Sequence, residues 1–155
     1  MDCGELRVAT QNRSGQTIVE FALIVALLLA VLFGIVEFGR AWFYSNHISN
    51  SVRASARYGA VLGNASTSVS FAKSKIETYA TTEIQSYINV QSGDLTVNAQ
   101  FFQDGTTTPR TGNLARGDTI EVSATYNFTI LTGSIIPYFS GTRPITRTAS
   151  MRFEG

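Results

Sequence analysis

Gly15-Gln16-Thr17-Ile18-Val19-Glu20-Phe21-Ala22-Leu23-Ile24-Val25-Ala26-Leu27-Leu28-Leu29-Ala30-Val31-Leu32-Phe33-Gly34-Ile35-Val36 is an apolar run interrupted by one carboxylate, Glu20, close to its start. As a helix rising 1.5 Å per residue, Gln16 to Val36 spans about 30 Å, the thickness of a bilayer's hydrocarbon layer, which predicts a single transmembrane crossing. A secretory signal has a shorter apolar core followed by small residues of the A-x-A kind. Here Arg40, Trp42, Phe43 and Tyr44 follow instead. They predict an outer membrane interface, where aromatic rings gather beside the headgroups.

Glu20 admits two readings. A charge at the centre of a span costs about 2.5–3.5 kcal/mol and less toward its ends, so an acid there is either functional or close enough to the surface to snorkel. Were the chain cut between Gly15 and Gln16, a new α-amino group would stand one helical turn before Glu20, offering it a cation within the chain or on a neighbour. Glu20 would then also lie in the first turns of the helix, where the macrodipole favours negative charge. Orientation follows from the flanks: Arg13 precedes the span, while Glu37 offsets Arg40 at i, i+3 spacing, which predicts the N-terminus on the cytoplasmic side.

The helical period continues past the run. Tyr44, Ile48, Val52, Ala56 and Gly59 or Ala60 recur every three or four residues, with Asn46, Asn50, Arg53 and Arg57 on the other faces, and Gly63-Asn64 supplies a stop. The small residues Ala54, Ala56, Gly59 and Ala60 leave room for another helix. A Ser/Thr/Asn segment leads to a second amphipathic helix over roughly Phe71 to Ile88, whose buried side holds Ala72, Ile76, Tyr79 or Ala80, Ile84, and Tyr87 or Ile88.

After Gly93-Asp94 the period falls to 2. Leu95, Val97, Ala99 and Phe101 alternate with polar residues, as do Ile120, Val122, Ala124, Tyr126 and Phe128. In a third run Ile145, Ala149, Met151 and Phe153 share one side, with Arg147 the exception. Three half-apolar strands need a cover, which the second helix and the outer half of the first can provide. The predicted class is therefore α+β: a long N-terminal helix, a second helix and a three-stranded antiparallel sheet. Gln103 to Asp118 reads as an exposed loop, with Arg116-Gly117-Asp118 as ordinary turn residues rather than an adhesion motif. Thr129 to Thr142 is a second long connection with apolar content suited to core closure, the preferred reading, or to a subunit contact.

Composition excludes much else. Charged residues make up 15% of 155 and the net charge is +1, so nothing in the electrostatics predicts nucleic-acid binding. Cys3 is the only cysteine and His47 the only histidine, which removes disulfides and the familiar zinc sites. The acids do not pair at catalytic spacing, and no nucleophile elbow, phosphate loop or dinucleotide turn occurs. The chain offers no starting point for an enzyme, a metal or a cofactor.

Gly15 and Glu20 in a G-x-x-x-x-E arrangement, Val19-Glu20-Phe21-Ala22-Leu23 opening the run, and Ala54-Ser55-Ala56-Arg57-Tyr58-Gly59-Ala60 beyond it give a segment that resembles the TadE-like pilins of the tight-adherence (Flp) secretion system. The closing Thr148-Ala149-Ser150-Met151-Arg152 looks like the family's ending as well. The resemblance implies a minor pilin or pseudopilin, longer than major Flp pilins. It implies cleavage by a prepilin peptidase between Gly15 and Gln16, placement in a filament through Glu20 and the adjoining Phe21, and other pilin subunits as partners. Gln16 stands where many type IV pilins carry phenylalanine. The expected organisation is a leader at 1–15, a transmembrane and stalk helix at 16–63, and a small α+β head at 64–155. The head would lie outside the cytoplasm, anchored in the inner membrane and carried to the cell surface by assembly. The reading from another class is an uncleaved, signal-anchored periplasmic binding module in which Glu20 is incidental.

Overall fold

The computed structural model describes residues 13–63, 66–90, 93–131 and 141–155, with side chains from Gly15 onward. Nearly all of the expected leader, including Cys3, lies outside these residues, as do Asn64 and the middle of the second connection, 132–140. Two helices precede three strands: α1 (Arg13–Ala60), α2 (Val69–Tyr87), β1 (Leu95–Phe102), β2 (Thr119–Thr129) and β3 (Thr142–Arg152). The sheet is antiparallel in the order β1-β2-β3. The predicted α+β class is the one found.

The chain forms two compact units, 1–36 and 37–155. In the first, α1 buries none of its apolar side chains: Ile18, Phe21, Leu23 and Leu27 are each about two-thirds exposed. A leucine-rich face left bare forgoes roughly 1.5–3 kcal/mol per large side chain relative to burial, so its proper surroundings are lipid or other apolar helices.

The second unit contains the remainder of α1, which is built into the head. Ile48, Val52, Ala56 and Ala60 are buried at the spacing that the sequence predicts, joined by Ala72, Ile76, Ala80 and Ile84 of α2. Both helices cover one face of the sheet, where Ala99, Phe101, Ile120, Val122, Ala124, Tyr126 and Phe128 complete the core. Gly59 lets the Ile76 side chain of α2 pack directly on α1: a Cβ there would lie 2.6 Å from Ile76 Cδ1 and 3.4 Å from Ile120 Cδ1. Ser68 caps α2 by accepting a hydrogen bond from Phe71 N–H at 3.4 Å, and the helix ends where Ile88 turns extended. Its start is thus two residues earlier than the apolar pattern indicates, since Val69 and Ser70 precede the first buried position, Ala72.

β2 runs back along α1 from Ile120, beside Gly59, to Tyr126 and Phe128, whose rings meet Tyr44 edge-on at 5.6 and 5.7 Å. The end of the head beside Glu37 therefore carries the β2–β3 connection, and the opposite end carries the β1–β2 loop. Arg147, the misfit in the third strand, projects on the apolar side of an edge strand and reaches across to the Ser45 hydroxyl of α1. On the other edge, Glu77 of α2 accepts the outward-facing N–H of Ala99 at 3.0 Å. Asn127 donates to Asp94 O on the β1 side, so its partner Pro144 presents its N–H-less nitrogen to the open edge of β3.

The β1–β2 loop is exposed from Asp104 to Pro109 but not throughout. Leu114 is buried, with its N–H bonded to Thr67 O, and Val69 N–H bonds to Gly112 O, so the loop seals the start of α2. Asp118 is buried too; it accepts from Ala115 N–H at 2.7 Å and pairs with Arg110 Nε at 3.1 Å. An inward aspartate on a turn through Gly117 (φ +97°) fits the reading of Arg116-Gly117-Asp118 as turn residues.

Candidate functional site

Two clusters contain the residues singled out in the sequence, one in each unit. In the first, Gly15, Gln16, Val19, Glu20 and Leu23 line a shallow, open groove along one stripe of α1. The stripe follows from spacing alone, because positions three and four apart share a helix face. The Gly15–Gln16 bond lies inside α1, and a Cβ on Gly15 would meet nothing within 4 Å. Glu20 is exposed and has no ion-pair partner among the described residues. Phe21, next along the chain, is 67% exposed. A carboxylate placed this way can accept hydrogen bonds or pair with a cation brought by another group, and among the described residues no second acid or base lines its groove.

The second cluster begins at Glu37, the residue after Val36. Glu37 pairs with Arg40 at 3.0 Å, the i, i+3 pair expected from the sequence. Its other oxygen accepts the backbone N–H of Leu131 at 2.7 Å. The Arg40 guanidinium lies over the rings of Phe128 and Tyr44, at 5.0 and 5.7 Å from their centroids. Trp42 and Phe43 point away from the sheet, and Trp42 stacks on Phe38 at 6.1 Å. Of the four residues expected at an interface, two therefore face outward, while Arg40 and Tyr44 pack against β2. Tyr126, beneath Tyr44, has its phenol pushed above the ordinary value of 10.0, by burial first and then by the neighbouring Tyr44 and Asp94, with Arg40 opposing.

Two contributors escape sequence reasoning. The Glu37 carboxylate ties α1 to a backbone group 94 positions away, and no local pattern encodes that. His47 sits between Phe43 and Tyr87, with ring centroids 4.2 and 4.9 Å away, and so ties the end of α2 to α1. An aromatic at i−4 was a visible hint for the first contact; the second depends on the fold. Among the described residues no group of three or more His, Cys, Asp and Glu side chains converges as a metal site would require.

α1 is the one helix among the described residues long and apolar enough to cross a membrane, and none of its most apolar stretch is buried. No curated protein and no solved structure matches the chain. The model of the family described as TadE-like protein matches residues 15–57, which covers the groove around Glu20, the exposed apolar stretch and most of α1 within the head. The match points to a pilus-associated subunit of the Tad system with an apolar N-terminal helix, a structural rather than an enzymatic family. The N-terminal helix that carries both clusters is TadE-like, and the chain is consistent with a TadE-like pilin of the Tad system.

Proposed function

We propose that this chain is a prepilin-like structural subunit of a Tad (Flp-type) pilus or pilus-like assembly. It inserts in the inner membrane with its head outside the cytoplasm. A prepilin peptidase then cuts between Gly15 and Gln16, and the subunit packs through its N-terminal helix against other pilins, the same or different. The observation that carries the reading is an entirely uncovered apolar stretch holding one unpaired carboxylate, five residues after Gly15. After cleavage, Gln16 would begin the helix and its ammonium would lie within a turn of Glu20, either in the same chain or in a neighbour. Moving from lipid into a filament exchanges one apolar contact for another, so close packing and that ion pair supply the preference.

The test has two parts. Intact mass of membrane-extracted protein should correspond to a chain beginning at Gln16, and Gly15→Leu should retain the leader. Glu20→Ala should leave subunit abundance and head stability unchanged while reducing filament yield by an order of magnitude or more. Fibres of normal yield built from Glu20→Ala subunits, or from subunits that keep residues 1–15, would refute the proposal.

A further inference from the structure

In the head, α1 buries one side and bares the other. Ile48, Val52 and Ala56 lie against the sheet, so the rows Asn50, Ala54, Tyr58 and Arg53, Arg57, Val61, about half a turn round the helix, form its back. With Tyr79 of α2 and Met151 of β3 they line an open groove of about 550 Å³. Tyr58 stacks on Tyr79 at 4.7 Å, and Val61 is 64% exposed. Arg53 and Arg57 are exposed, and neither forms a hydrogen bond or ion pair with a described residue. Arg40, Arg110 and Arg152, by contrast, each pair with a carboxylate. No acid lines the groove: Glu83 of α2 is not among its residues, and Glu154 lines a separate concavity with Arg116. Like charges at i, i+4 repel, so the two guanidinia gain from an anion brought to them.

The opposite face of the head carries the complementary charge. On β2 the residues that alternate with the core, from Thr119 to Asn127, point outward from the sheet, and Glu121 is the acid among them. It lies between Gln100 of β1 and Ser150 of β3 and has no ion-pair partner among the described residues. The next two rows of that face hold only Asn, Ser and Thr, while on its other side Arg152 is held by Asp104 at 2.8 and 2.9 Å. We infer that the outer sheet face of a second copy docks on the back of α1, with Glu121 of that copy entering the groove to pair with Arg53 and Arg57. Patches on opposite faces of one body cannot both meet in a two-fold pair; they join copies head to tail, the arrangement that propagates as a filament unless its rotation closes a ring. Charge pairing of this kind fixes orientation more than affinity, so the apolar helices supply the cohesion and the heads set which face meets which.

The contact deepens the filament reading and rests on it, and the experiment separates their failures. Full-length chains with Cys3→Ser are co-produced in the native cell, one copy carrying Asn50→Cys in the groove and the other Thr148→Cys on the outer sheet face, both exposed positions. Membranes and sheared fibres are treated with a short bis-maleimide. A mixed Asn50→Cys/Thr148→Cys dimer should form well above the level obtained when Thr106→Cys, in the exposed β1–β2 loop, replaces Thr148→Cys. Arg53→Glu with Arg57→Glu in the first copy should lower its yield about tenfold, and Glu121→Arg in the second should restore it, which a folding defect would not allow. Fibres without the mixed dimer, a mixed dimer indifferent to charge reversal, or either cysteine bonded instead to itself or to another protein would overturn the inference and leave the filament reading intact. A charge-dependent mixed dimer from chains that keep residues 1–15 and build no fibres would overturn the filament reading while the contact between copies held.

Discussion

Tyr126 shows what one buried side chain contributes to the head. Its ring closes the core beneath Tyr44, and burial favours the neutral phenol, so its folded pKa lies above the 10.0 of a free tyrosine. The contribution of that neutral group is whole below about pH 10 and is lost as pH rises through the raised folded value, because the unfolded chain releases its proton first. Absorbance titration near 295 nm should show one late tyrosine that disappears in Tyr126→Phe, and that variant should lose less stability than the parent above pH 10. Asp118 acts by the opposite route, as a buried charge with partners. Removing it leaves the Ala115 N–H without its acceptor and Arg110 without its counter-ion, although Arg110 Nε keeps its hydrogen bond to Asn113 O. Asp118→Ala should cost about 2–3 kcal/mol in chemical denaturation, less than a fully buried broken pair because Arg110 remains partly in water. Neither role is visible in the sequence, where Tyr126 is one ring of an alternating strand and Asp118 one acid of a turn.

At the level of helices and strands, the change of period from 3.6 to 2 after Gly93 was sufficient to read the architecture, and the buried positions of α2 and β2 follow that pattern closely. What escaped it depends on packing between elements. Arg147 breaks the alternation of β3 because an edge strand lets a long guanidinium curl over to Ser45, and Leu114 plugs a loop that otherwise reads as solvated. Of the candidate site, spacing made the Glu20 stripe and the Glu37–Arg40 pair legible, whereas the bond from Glu37 to Leu131 needs the whole course of β2. The small residues on α1 were legible as a seat for another helix, and Gly59 identifies α2 as its occupant. Gly59→Val should force the helices apart and cost about 1–3 kcal/mol, read as a lower Tm. Gly59→Ala should be close to neutral, since a gain in helix propensity of about 1 kcal/mol offsets a clash with the rotatable tip of Ile76.

At the scale of the molecule, the two units have opposite needs. Residues 37–155 carry a closed core, while the apolar part of α1 has none of its own. A fragment beginning at Glu37 should be soluble without detergent and show a single cooperative thermal transition by circular dichroism, whereas the full chain should need detergent or lipid. Aggregation of that fragment would mean that the head depends on the span for more than attachment. Anchoring in a membrane, as proposed, would also crowd such heads together, and crowding is where open strand edges become dangerous. The Glu77 carboxylate on Ala99 N–H and the proline on the outer rim of β3 obstruct both sides of the sheet. Were copies held side by side as proposed, they would thereby be denied the cross-β zippering that would trap them as amyloid, and reversible polymerisation would be left to their helices.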